Sequence, residues 1–130
     1  MHDVSEVIDR LNDLVRKGSR QVEELGEPIY ALEMVDREGA AQIAHWQAWS
    51  REWDEKLTDL ARQLPPAPGL DDNGHYLLAY QNVAQAISAL RRVPSGAGAW
   101  PTPFRYQWER CFELAEQQLE AARQHLDQTF

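Results

Sequence analysis

The chain predicts an all-α protein, an antiparallel four-helix bundle with one long second helix that is either kinked or overhanging. Three observations carry that prediction. Apolar residues recur at spacings of three and four in four separate stretches, no stretch alternates apolar and polar residues as a half-buried strand would, and clusters of proline and glycine punctuate the second half. At 130 residues the chain has the length of a single domain, 1–130, able to bury a core without disulfides or metal.

The first stripe is Val4, Val7, Ile8, Leu11, Leu14, Val15, Val22 and Leu25, with Gly18 on the same face. Asp3 stands as an N-cap with Glu6 three residues on, a weak form of the capping box, and Gly26 supplies the stop. Pro28 costs no hydrogen bond in a first turn and opens the second stripe: Ile29, Leu32, Val35, Ile43, Trp46, Trp49, Trp53, Leu57, Leu60 and Leu64. A single helix from Pro28 to Leu64 would be ~55 Å long at ~1.5 Å per residue. It either bends near Gly39, which costs ~1 kcal/mol relative to alanine, or overhangs its neighbours and invites self-association.

Within that helix the segment HWQAWSREWDEKL, His45 to Leu57, places three tryptophans in eight residues. They share their stripe with Leu57, Leu60 and Leu64, which predicts that they face the core rather than form a surface platform. An enclosed indole then needs an acceptor for its N–H.

The segment PPAPGLDDNG, 65 to 74, is a linker of helix breakers and turn formers, from which Asp72 or Asn73 caps a third helix. Its stripe is Tyr76, Tyr80, Val83, Ile87 and Leu90, and it stops by Pro94. After VPSGAGAWPTP, Thr102 and Pro103 read as N-cap and first-turn proline of a fourth helix. Phe104, Trp108, Phe112, Ala115, Leu119, Ala122 and Leu126 line one side of it. There is no internal repeat.

Composition narrows the function. Hydrophobic residues at 43% and charged residues at 26% describe a folded globular chain rather than a disordered one. A net charge of −8, from 21 acidic against 13 basic residues, repels phosphate backbones and argues against direct nucleic-acid binding. The basic clusters Arg91-Arg92 and Arg16, Lys17, Arg20 are short, and Arg91-Arg92 falls at a helix C-terminus, which favours cations in any case. No apolar run approaches the ~18 residues that cross a bilayer, so no membrane role is expected. The lone Cys111 forms no internal disulfide and Met1 leads into an acidic amphipathic segment, so a cytoplasmic location is expected.

The residues that could carry chemistry are sparse. His2, His45, His75 and His125 are scattered, and none stands in the Glu-x-x-His arrangement of di-iron bundles. Asp71 and Asp72 near His75 read as a capping turn. Cys111 reads as a buried, inert thiol.

Two features point outward. On the last helix Glu109, Glu113, Glu116 and Glu120 fall within about 60° of one another, while Arg105, Arg110 and Arg123 lie outside the stripe and leave it unrelieved. Such a stripe is either a solubilising face or a docking surface for a basic patch on another protein, where complementary charge speeds encounter. Trp100, between Ala99 and Pro101 in a Gly/Pro-rich loop, has no helix stripe to join and is the second contact candidate.

The segment VEELGE, Val22 to Glu27, resembles the Glu-Glu-x-x-Glu helix of the all-α nucleotide pyrophosphohydrolases of the MazG-like group. That resemblance implies Mg²⁺ held by paired carboxylate motifs on two helices, with Glu23, Glu24 and Glu27 on the first. The family's second motif is Glu-x-x-Asp; here Glu52 and Glu55 stand at a suitable distance, with Glu in the last position, and Glu33-x-x-Asp36 comes sooner.

The expected function is therefore a small acidic interaction module without catalytic activity or cofactor, an adaptor, inhibitor or assembly subunit. Glu109, Glu113, Glu116, Glu120 and Trp100 are its contact candidates. The alternatives are the Mg²⁺-dependent pyrophosphohydrolase, with Glu23, Glu24, Glu27, Glu52 and Glu55 as ligands, and a structural subunit that assembles with itself through the second helix as a homo-oligomer.

Overall fold

A computed structural model describes residues 3–26, 37–65, 74–93 and 105–128. These fold into four helices and no strand: α1 (Val4–Leu25), α2 (Arg37–Gln63), α3 (His75–Arg91) and α4 (Arg105–Asp127). The all-α class follows directly from the four stripes. Pro28, Trp100 and the Thr102-Pro103 start lie outside the described residues, as does Glu27.

Both ends of α1 are set by the residues that the sequence offers. Asp3 has extended backbone, and its carboxylate accepts from the Glu6 N–H at 2.8 Å, satisfying one of the helix's orphan donors. Gly26, at φ 71°, takes the left-handed side of backbone space and donates its N–H to the Val22 carbonyl at 3.0 Å. α2 is helical through Gly39. The cap of α3 corrects the expectation of Asp72 or Asn73: Gly74 holds that position, at φ 73° and with no side-chain cap bond. A left-handed turn immediately before His75 requires the glycine.

Contacts between helices give the register. Residues 10, 21 and 26 of the α1 segment meet residues 63, 49 and 46 of α2, so these two helices run in opposite senses. The end of α4 returns to the start of α1, where Arg123 donates to Ser5 Oγ at 2.8 Å and pairs with Asp9. The start of α3 lies against the end of α4 through His75 and His125. α1 and α3 approach across the middle, whereas α2 and α4 have no Cα approach within 8 Å among the described residues. Rings fill that wider diagonal: Trp46 against Trp108 at 5.3 Å and Trp53 edge-on to Phe112 at 5.9 Å.

The tryptophans of α2 are interior, at 2%, 8% and 2% exposure for Trp46, Trp49 and Trp53. Trp49 and Trp53 stack at 4.8 Å, and Trp46 meets Trp49 edge-on at 5.7 Å. Each N–H finds an acceptor. Trp46 donates to the Gly26 carbonyl at 2.9 Å, Trp49 to Gln21 Oε1 at 2.8 Å and Trp53 to the Leu90 carbonyl at 2.7 Å. Leu90 belongs to the last turn of α3 and Gly26 to the end of α1, so two indoles donate to carbonyls at helix C-termini; the Leu90 carbonyl also accepts the Val93 N–H at 3.2 Å.

Candidate functional site

The face that stands out from this core is one flank of α4. Trp108, Phe112, Ala115, Leu119, Ala122 and Leu126 are buried, and about 110° round the helix from their centre come Glu109, Glu113, Glu116 and Glu120. All four are exposed. Arg123 lies on the same side and reaches α1, so the stripe occupies the flank of α4 that turns toward α1. Glu113, Glu116 and Glu120, with Gln117, Ala121 and Gln124, line a shallow open depression of about 410 Å³.

The structure corrects one expectation about this stripe. Arg110 reaches Glu113 at 3.5 Å across one helical turn, so the stripe is relieved at that point. An i,i+3 pair between half-exposed side chains contributes a few tenths of a kcal/mol. Arg123 is committed to Ser5 and Asp9 on α1. Glu120 accepts from Gln124 Nε2 at a long 3.4 Å. Nothing is described of the Arg105 side chain. The chemical capacity of four exposed carboxylates on one flank is to attract cationic side chains.

Carboxylates placed by the pyrophosphohydrolase resemblance are distributed differently. Glu23 and Glu24 sit in the last turn of α1, Glu52 and Glu55 at mid-length of α2, and all four are exposed. The register puts Gln21 beside Trp49, so Glu23 and Glu24 lie beyond that level while Glu52 and Glu55 lie on its other side. Helical spacing turns Glu55 about 160° away from the buried stripe of α2. Among the described residues no group of three or more His, Cys, Asp or Glu side chains is arranged to hold a metal ion. Glu27 lies outside them.

Two of the four histidines are not scattered, which corrects the sequence reading. His75 opens α3, His125 lies in the last turn of α4, and their Nδ1 atoms are 2.8 Å apart in a half-buried hydrogen bond. Their ring centroids are 5.1 Å apart with planes at 32°. A signal for this pair existed: in helices of opposite sense, a residue at the start of one and a residue at the end of the other share one end of the bundle. His45 is exposed on α2.

Cys111 is half-buried, and burial pushes its thiol pKa up while the Arg92 charge pulls weakly the other way. Tyr76 is also raised, by burial first and then by the Asp3 charge. No described helix is long and apolar enough to cross a membrane. No protein-family model, no curated protein and no solved structure matches the chain.

Proposed function

We propose that the chain is a cytoplasmic protein-binding module, an adaptor, inhibitor or assembly subunit, that docks a basic patch of another protein against the acidic flank of α4. The observation that carries this reading is the exposure of Glu109, Glu113, Glu116 and Glu120 together on one flank. Like charges at these spacings cost a helix a few tenths of a kcal/mol per pair. A cationic partner offsets that repulsion, and complementary potentials speed encounter and select partners. The overall charge of −8 extends the same field over the whole molecule.

The test is affinity capture from native lysate with the tagged chain at low and high salt. Beside it runs a variant carrying Glu109→Lys, Glu113→Lys, Glu116→Lys and Glu120→Lys. A partner retained by the native chain, lost at high salt and lost by the variant supports the reading. Capture that ignores both salt and charge reversal removes it, and release of pyrophosphate from deoxynucleoside triphosphates with Mg²⁺ would put the catalytic alternative in its place.

A further inference from the structure

We infer that His75 and His125 form a two-histidine site for a transition-metal dication of the Ni²⁺ or Cu²⁺ type, bridging the start of α3 and the end of α4. The pair belongs to neither the acidic flank nor the tryptophan core, and the inference is independent of the proposed docking role.

The argument begins with the separation of the two nitrogens. Imidazole nitrogens bind first-row dications at about 2.0–2.1 Å, and a chord of 2.8 Å between Nδ1 atoms closes two such bonds at roughly 85°. That is the angle of neighbouring positions on a square-planar or octahedral ion, the geometries of Cu²⁺ and Ni²⁺. A tetrahedral ion needs a chord of about 3.4 Å, further from the separation of the hydrogen-bonded pair.

The rings meet nearly end on, since 5.1 Å between centroids is about the bond length plus the two ring radii. To aim both lone pairs at one ion each ring must turn about its Cβ–Cγ bond, a broad and soft torsion. Both histidines are half-buried, so solvent reaches the pair. The backbone positions are fixed from below: Leu126 beside His125 is buried, as is Ala79 one turn after His75. The packed α3–α4 contact therefore holds the two histidine backbones beside each other, and the ring torsions set the final Nδ1 separation.

Protons balance in either charge state. A neutral pair shares one N–H between the Nδ1 atoms. On binding, that ring takes its other tautomer, with the proton on Nε2, and both Nδ1 lone pairs go to the metal. A pair that carries one extra proton releases it, so binding weakens as the solution is acidified.

Ni²⁺ alone is the probe, titrated calorimetrically into the full chain carrying His2→Ala and His45→Ala, so that only the paired histidines remain of the four. The expected result is saturable 1:1 binding with a rise in Tm. Adding His75→Ala or His125→Ala should each weaken it by about a hundredfold, because two-point attachment is lost. Far-UV circular dichroism checks each fold, and His125→Gln replaces any alanine variant that fails to fold. Absence of saturable binding overturns the inference, and so does binding that survives both substitutions.

Discussion

Gly18 of α1 and the six-membered ring of Trp53 occupy adjoining space so closely that a Cβ at Gly18 would overlap Cζ3 and Cη2 of the indole. Trp53 cannot retreat, because its N–H is tied to the Leu90 carbonyl, Trp49 stacks on it and Phe112 meets it edge-on. The glycine is thus the seat on which the α2 tryptophan crosses toward α3. At an unencumbered helix position Gly→Ala stabilises by up to ~1 kcal/mol. Here the overlap costs about 1–3 kcal/mol as overpacking, so Gly18→Ala should destabilise by up to about 2 kcal/mol in urea unfolding. A double-mutant cycle with Trp53→Phe should recover most of that loss. A stabilised Gly18→Ala protein would sink the argument.

A cost of a different kind is expected at Asp3. Its carboxylate accepts from the Glu6 N–H at 2.8 Å, and loss of such a cap by Asp3→Ala costs about 1 kcal/mol. Asp3→Asn or Asp3→Ser keeps the acceptor and should restore most of it. Thermal unfolding of the three variants makes the check; equal loss in all three would assign the effect to charge rather than to capping.

How far these features could be read from sequence depends on what sets them. Periodicity encodes burial, so Val4 to Val22, the tryptophan stripe and Trp108 to Leu126 were all legible as core, and Asp3 and Gly26 as ends. That Gly18 lies on the α1 stripe was visible too. Its role as a seat for Trp53 was not, because that depends on the height at which α1 and α2 pass each other. The same holds for His75 and His125, fifty residues apart and joined only by the α3–α4 register. Arg110 departs from the angular pattern for a local reason: a long side chain one turn away reaches a stripe that its Cα does not share. The exposure of the acidic flank followed from the stripe's angle, but its purpose is not encoded in angle.

Cys111 should react slowly. Thiolate is the nucleophile, and burial raises the Cys111 pKa, so less thiolate forms at neutral pH than on a free cysteine. The rate of reaction with an aromatic disulfide reagent should lie below that of a free thiol and rise to the free value in denaturant. Linkage gives the sign for stability. A raised folded pKa means a contribution fully present below the unfolded thiol pKa, about 8.5, and lost as pH rises through the folded value. Cys111→Ala should therefore flatten the alkaline fall in Tm. An equally fast reaction in the folded and unfolded protein would contradict this.

Stability also separates the two meanings of the α4 flank. If Glu109, Glu113, Glu116 and Glu120 served the fold, neutralising them would weaken it. No described contact ties Glu116 to another helix, and Glu120 has only the 3.4 Å approach of Gln124 from its own helix. Glu116→Gln with Glu120→Gln should therefore leave stability unchanged or raise it by a few tenths of a kcal/mol through relieved repulsion. The gain should shrink as salt is added, because exposed charges are screened. The Arg110–Glu113 pair predicts the opposite sign one turn away, with Glu113→Gln neutral or slightly destabilising. A doubly substituted Glu116 and Glu120 variant that unfolds at markedly lower urea concentration would show that the flank holds the bundle together. An undiminished or improved fold, together with lost capture of a cationic partner, is what a surface kept for binding at the expense of stability must give.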